Sequence, residues 1–353
     1  MVKPVRKVLL SGGVLVLILV GVAGVGYGWA SARASSTLSQ VFETHEVDFP
    51  VPMPTAPDDR AGGPAEAIGE VDPGADIVEV EGVHGDEADP APEVALAQTD
   101  LELAIARGRH LVSARYACAD CHGENFGGGV MIDDPAMGRL LGPNLTTGAG
   151  SAVADYRVAD WDRIVRHGVR KDGRPALMPS EDFMAMSDRE LSDIIAYIRS
   201  LPPVDNTVPP SELGPVGKLL VATGRFPISA EMIEAHDAAH RVEPPAEEET
   251  VEFGAHLAKV CTGCHRQDLA GGPIVQGPPS WAPASNLTPH ETGLVGYDLQ
   301  TFERVMRTGI RRNGEPVREP MNIITAYASN MTETEIKALW LYLEALPPTP
   351  QGR

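Results

Sequence analysis

The sequence has no cysteine to spare. Its 353 residues hold four, and all four lie in two pentapeptides, Cys118-Ala119-Asp120-Cys121-His122 and Cys261-Thr262-Gly263-Cys264-His265. Nothing is left over for a separate disulfide framework. Charge is missing from one long run, the 23 residues from Val8 to Ala30. Aromatic residues are missing from another, Asp58 to Asp100, where thirteen acidic residues stand against one basic residue, Arg60. A stretch so acidic and so poor in large apolar groups does not bury enough area to offset its ordering entropy, which excludes a packed core there. It also accounts for most of the net charge of −20. Residues 101–203 carry twelve Lys/Arg against fourteen Asp/Glu, and 251–348 carry eight against ten, so both are close to neutral. The acidic total therefore says little about their docking faces. No nucleic-acid partner is expected.

The spacing C-x-x-C-H is the attachment signature of a c-type haem. Two thiols three residues apart reach the two vinyl groups on one porphyrin edge. The next side chain, an imidazole, then falls under the iron as proximal ligand. C-x-x-C also occurs in redox and zinc sites. A four-cysteine zinc site would leave His122 and His265 unexplained, and disulfides would not explain the copies that follow. The expected cofactors are two covalently bound haem c groups, on Cys118 and Cys121 and on Cys261 and Cys264, with His122 and His265 as iron ligands.

The repeat extends far beyond the pentapeptides, at an offset close to 143 residues. Gly108-Arg109-His110-Leu111 recurs as Gly254-Ala255-His256-Leu257. Asn144-Leu145-Thr146 recurs as Asn286-Leu287-Thr288. Tyr197-Ile198-Arg199-Ser200-Leu201-Pro202-Pro203 recurs as Tyr342-Leu343-Glu344-Ala345-Leu346-Pro347-Pro348. Repeat order kept over such a length reads as two copies of one domain. A sixth ligand shared by both copies should lie at a matched distance from its histidine. Met178 lies 56 residues after His122, and Met321 lies 56 after His265, each beside a proline, Pro179 and Pro320. Met131, Met137, Met184, Met186, Met306 and Met331 compete. Met186 and Met331 open a helix, where packing is the expected role. His/Met ligation raises the potential and closes the iron to substrate, so such a centre carries electrons.

The helices follow from apolar spacing. Leu101 to Tyr116 is predicted helical with Asp100 as N-cap. A short middle helix falls within Asp155–Val169. Asp188 to Ser200 carries the stripe Leu191, Ile194, Ile195 and Ile198, and Thr332 to Glu344 carries Ile336, Leu339, Trp340 and Leu343. Gly108, lacking a side chain, lets another helix approach, with Tyr197 as the facing residue. Trp161 and Arg166 are candidates for the haem edge or propionates. His110, His167 and His256 are weak candidates for iron ligation. Gly127-Gly128-Gly129 and Gly142-Pro143 suit loops folded over a flat cofactor.

At the other end, 23 uncharged residues at 1.5 Å each span roughly 34 Å, enough for a bilayer core of about 30 Å. Lys3, Arg6 and Lys7 place the N-terminus in the cytoplasm and the rest outside it. Ala30-Ser31-Ala32 resembles a cleavage site, but the run exceeds the usual ~7–15 residues of a signal core. A retained anchor is expected.

The chain resembles tandem class I cytochrome c domains on the two C-x-x-C-H sites, the Asn-Leu-Thr repeats, Met178-Pro179, Met321 and the closing Tyr-x-x-x-Leu-Pro-Pro motifs. It is similar to bacterial membrane-associated dihaem cytochromes and to the cytochrome subunits of membrane-bound alcohol and gluconate dehydrogenases. Those subunits usually carry three haems, and Pro320-Met321 reverses the order of Met178-Pro179. The resemblance implies an all-α fold and a bacterial periplasmic location on the inner membrane. The expected plan is a transmembrane anchor over 1–34, a disordered acidic linker over 35–100, a first cytochrome c domain over 101–203, an inter-domain linker over 204–250 and a second domain over 251–348. The expected function is electron transfer, not enzymatic catalysis, between redox partners such as a membrane dehydrogenase, an oxidase or a soluble cytochrome. The alternative is a dihaem peroxidase-type enzyme, which needs one iron without a strong sixth ligand; the matched methionines argue against it.

Overall fold

Two helices set the frame, and both begin with the same capping chemistry. Ser187 and Thr332 each accept from the backbone N–H three residues on, while Glu190 and Glu335 reach back to the cap's own N–H. This reciprocal pairing satisfies donors that a helix start leaves open. The helices are α5 (Asp188–Ser200) and α12 (Glu333–Ala345). Their predicted stripes are buried, with Leu191, Ile194, Ile195 and Ile198 on one and Ile336, Leu339, Trp340 and Leu343 on the other.

The computed structural model describes residues 21, 24–53, 92–274, 277 and 281–352. In chain order the other elements are α1 (24–39), α2 (Pro92–His110) running on as a π-helical turn (Leu111–Arg115), α3 (Cys118–His122), β1 (Gly129–Asp134), β2 (Gly138–Gly142) and α4 (Val158–His167). After α5 come β3 (Glu212–Leu213), α6 (Pro215–Ala222), α7 (Ser229–Met232), α8 (Val251–Leu257), α9 (Thr262–His265), α10 (Leu299–Thr308) and α11 (Met321–Ala328) before α12. In the first half α2 packs on α5, and in the second α8 packs on α12.

Glycine makes both crossings possible. A Cβ on Gly108 would sit 2.0 Å from the Asp193 carbonyl oxygen and 2.8 Å from Tyr197 Cβ. One on Gly254 would sit 1.9 Å from the Ala338 oxygen. Backbone does not yield as a side chain tip does, so the helices would have to separate. Gly254→Ala should lower unfolding stability by about 1–3 kcal/mol, the usual size of an overpacking penalty, as measured by urea denaturation.

Four expectations need correction. First, α2 begins at Pro92, not Leu101, so Asp100 is inside the helix and caps nothing. Proline at a helix start lacks only an N–H that would have no partner there. Second, the fold is mostly helical but not all-α. The Gly-rich stretch forms an antiparallel sheet in the order β1-β2-β3, with a register shift between Val130 and Ile132. Its turn is built by Asp134, whose Oδ1 accepts from the N–H groups of Ala136 and Met137.

Third, residues 35–53 are not tether. Helix α1 buries Ala30, Ala34 and Thr37, and the segment after it straps across the first half. Phe49 joins the core with Trp161, Leu191 and Ile195. The Pro50 carbonyl accepts from Ser192 at 2.7 Å, and Phe42 N–H donates to the Gly173 oxygen at 2.9 Å. Fourth, the supposed inter-domain linker begins as part of the first half. Val221, Ile228 and Ala230 form a core with Ala34 and Val169. The acidic linker over 54–91 and most of the apolar run Val8–Ala30 lie outside the described residues, among which no helix is long and apolar enough to cross a membrane.

Candidate functional site

Each C-x-x-C-H pentapeptide ends a helical turn, α3 or α9, that presents its histidine. Nδ1 of His122 donates to the Pro143 carbonyl at 3.0 Å, and Nδ1 of His265 donates to the Ser285 carbonyl at 2.7 Å. A carbonyl accepts only, so in both rings the proton sits on Nδ1 and Nε2 keeps its lone pair. This is the second-shell bond that fixes tautomer and orientation of a ligating imidazole. Burial lowers both pKa values against the carbonyl bonds that raise them, so the rings stay neutral. Burial also pushes the thiols of Cys118 and Cys261 up to about 12 and that of Cys121 to about 11. Such thiols lack the thiolate character of redox C-x-x-C motifs. Gly142 lets the sheet close on the motif, since its Cβ would lie 1.9 Å from the Cys121 oxygen.

In the second half, Cys261, Cys264 and His265 line a cavity of about 220 Å³ with Met321, Tyr297 and Leu339. The structure therefore brings three members of one predicted set and its predicted methionine around one apolar space. Met306 and Met331 also line it. In the first half, Trp161 is 2% exposed and its indole N–H has no partner. A buried orphan donor of this kind suits a haem propionate. Trp161 packs in one cluster with Cys118, so the orphan suits a haem held by the first pentapeptide, and the second cavity with its donor set suits one there. Arg166 does not serve there. It is fully buried against Asp162, Asp188 and the Met186 carbonyl, with its guanidinium 5.7 Å from the Phe49 ring centre.

The two methionines are equally spaced but not equivalent. A bridge Val169–Pro175 closes a small hairpin in the first half, and Ile310–Pro316 closes its copy, an offset of 141. At that offset Pro320 answers to Pro179, so Met178 precedes the shared proline and Met321 follows it. Met178 sits half-buried before the turn Ser180–Asp182, whereas Met321 opens helix α11.

The Asn-Leu-Thr repeats tie the loop beyond each histidine to the chain after the last helix. Buried Asn144 donates to the Val204 carbonyl at 2.7 Å and accepts from the Thr146 hydroxyl at 2.8 Å. Asn286 donates to the Thr349 carbonyl at 2.7 Å and accepts from the Thr288 hydroxyl at 2.8 Å. Val204 and Thr349 each directly follow a Leu-Pro-Pro, which explains why the two motifs recur together.

Residues 105–202 match the cytochrome c family. This stretch is a cytochrome c domain, and such a domain implies covalently bound haem c. The chain is also similar, at 26% identity over 287 residues, to the cytochrome c subunit of a quinone alcohol dehydrogenase from Gluconacetobacter polyoxogenes, covering 73% of this chain and 60% of the relative. It is 25% identical over 267 residues to a fructose dehydrogenase cytochrome subunit from Gluconobacter japonicus, covering 69% of this chain and 52% of that one. A gluconate 2-dehydrogenase cytochrome c subunit from Pantoea cypripedii is 33% identical over 100 residues, 26% of this chain and 22% of the relative. The chain thus spans about half to three fifths of the length of the first two.

The halves are locked by residues that periodicity did not single out. His110 bonds Glu335 at 2.9 Å, and its counterpart His256 bonds Glu190 at 2.8 Å. The two glutamates are the N3 residues of the capping boxes on α12 and α5. Arg115 lies between them, ion-paired to Glu335, to Glu190 at 3.2 Å and to Glu247 at 2.9 Å. His110 and His256 are thus committed to the other half's cap and are not iron ligands. Asp182 of the first half meets the second pentapeptide at Gly263, whose N–H donates to it. Burial, with Glu181 beside it, raises Asp182 to about 7. The sequence carries a signal for this lock in the paired Gly-x-His-Leu repeats and in the Ser187-x-x-Glu190 and Thr332-x-x-Glu335 pairs.

Proposed function

We propose that this chain is a dihaem c-type cytochrome, built from two tandem cytochrome c domains, that carries electrons between a dehydrogenase-type donor and a downstream acceptor. The observation that carries this reading is the second cavity, where both cysteines, the oriented His265 and Met321 face one space. The names of the relatives, cytochrome subunits of alcohol, fructose and gluconate dehydrogenases, support the donor class. His122 and Met178 would hold the first iron, His265 and Met321 the second. When bound, haem supplies one-electron chemistry at a potential that the thioether ligand raises. The chain's own part is to hold two neutral imidazoles in a fixed tautomer and to keep water from the iron.

The reading includes a membrane anchor over Val8–Ala30 in the bacterial inner membrane, with the haem-bearing part in the periplasm. Val25, Tyr27 and Trp29, at the described end of that run, are exposed on α1. Aromatic rings with a polar edge suit the membrane–water interface. Because 30–53 packs on the first half, that half would sit close to the membrane instead of swinging on the acidic segment.

The test is purification of the full chain with mild detergent, followed by denaturation. Two haems per chain should stay covalently attached, and Cys261→Ala with Cys264→Ala should leave one. A wild-type chain that retained a single haem would remove the second centre. What copurifies identifies the partner.

A further inference from the structure

Four histidines converge outside both pentapeptides. His45 comes from the strap, His167 from the end of α4, and His236 and His240 from the chain after α7. One ring nitrogen from each of His45, His167 and His240 lies within 4.8 Å of the other two. Nε2 of His167 stands 3.2 Å from Nε2 of His240 and 3.6 Å from Oδ2 of Asp162. Nitrogen and oxygen donors at ~2.0–2.1 Å around a tetrahedral zinc are themselves roughly 3.3 Å apart. The separations of His167 from His240 and from Asp162 are close to that spacing.

The hydrogen bonds around the cluster leave lone pairs pointing inward. Nδ1 of His45 lies 2.9 Å from the His236 carbonyl, so it carries the proton and Nε2 is bare. Nε2 of His236 lies 3.0 Å from the Ala230 carbonyl, so its Nδ1 is the bare nitrogen. That nitrogen is 3.3 Å from Nδ1 of His167. His167 must donate there, and its own Nε2 is then bare and turned toward His240 and Asp162. A proton on His240 could serve one of these acceptors. It would not serve Asp162 Oδ2, which is wholly buried and has no hydrogen-bond partner. An acceptor-only oxygen sealed beside bare imidazole nitrogens is a costly arrangement unless a cation sits among them. Arg166 does not fill that role, because it binds the other oxygen, Oδ1, at 2.6 Å. Arg163 is turned to Asp160 and Glu46.

The structure assigns these residues, by our inference, to a divalent metal site of the zinc class, with His45, His167 and His240 as ligands, Asp162 as the buried carboxylate beside them and His236 as the orienting residue behind His167. Imidazole and carboxylate donors suit Zn²⁺. The ion would staple three separate segments, the N-terminal strap, α4 and the chain leaving α7. The site uses no cysteine and no residue of either C-x-x-C-H motif, so it stands or falls independently of the proposed electron transfer.

The test uses the full chain, purified without a histidine tag, stripped with chelator and titrated with Zn²⁺ alone. About one Zn²⁺ per chain should bind beyond the haem iron. His45→Ala and His240→Ala should abolish that binding while haem absorbance stays unchanged, which reports that the fold survives. His236→Ala should weaken it by about 10–100-fold, as loss of an orienting partner does. His290→Ala, away from the cluster, should bind as wild type. Zn²⁺ should also slow hydrogen exchange over residues 40–53. A stripped chain that takes up no Zn²⁺, or His240→Ala binding as tightly as wild type, overturns the assignment.

Discussion

On the proposed dihaem reading, Met321→Ala should lower the potential of the second haem by on the order of 0.1–0.3 V, a fraction of the roughly 0.8 V that axial ligation spans. The same variant should bind cyanide or imidazole at one centre, because a closed iron has become open. Three methionines of the second half face that cavity, so the expectation needs discrimination. Met306 and Met331 are 7% exposed and packed among Phe302, Ile336 and Leu339. They behave as core, and Met331→Leu should cost under about 1.5 kcal/mol, as volume-conserving swaps do, with both potentials unmoved. Met321 instead opens α11 and is only partly buried. A redox titration followed optically, with both variants beside wild type, separates ligand from packing. If Met331→Leu moves a potential and Met321→Ala does not, the ligand assignment is overturned.

The helices that carry the site were legible because their signals are local. Ser187 with Glu190 and Thr332 with Glu335 announce helix starts, and the four-residue stripes behind them announce the buried faces. Gly108 announced its own close contact, and Tyr197 was the correct partner. The misreadings arose where long-range packing decides. Residues 35–53 carry charge and proline, yet Phe42, Val47, Phe49 and Val51 find apolar surface on the first half. Nothing in their own spacing names that surface. Arg166 is a candidate for the haem edge or propionates by sequence, as Trp161 is; four residues earlier stands Asp162, the partner that takes it. The equal spacing of Met178 and Met321 came from two differences that cancel. The second copy is two residues shorter between its histidine and its hairpin, and its methionine lies two residues later relative to the shared proline, after Pro320 where Met178 stands before Pro179. A count of residues does not detect such compensation, whereas hydrogen-bond register does.

Arg115→Met should loosen the two halves from each other at a cost of about 3–5 kcal/mol, the usual penalty for removing one partner of a buried ionic set. The Arg115 side chain is 4% exposed and faces Glu190 and Glu335, at 4% and 2%. Without it the two buried carboxylates keep their cap hydrogen bonds and His256 and His110, but lose the one guanidinium that neutralises both. Denaturant unfolding, expected in one transition for wild type, should divide into two. The lock should also be sensitive to acid. Burial would raise the Glu335 pKa, but the bond from His110 and the charge of Arg115 outweigh it and hold the group at about 2 against an ordinary 4.5. A carboxylate depressed in the folded state contributes stability that is complete above the unfolded value and is lost as pH falls toward the folded one. Glu335 therefore contributes about 3 kcal/mol near neutrality, lost between roughly pH 4.5 and 2. Glu190 is lowered in the same sense, with His256 and Ser187 overcoming burial. Glu335→Gln, which still fits the capping box, should flatten that acid limb. Because Asp182 of one half rests on Gly263 of the other, the same lock fixes how the second attachment site faces the first half. On the proposed dihaem reading, flash reduction of Arg115→Met should then give a spread of inter-haem transfer rates where wild type is expected to give one. A single unchanged rate, with unfolding still in one step, would mean that apolar packing alone aligns the halves.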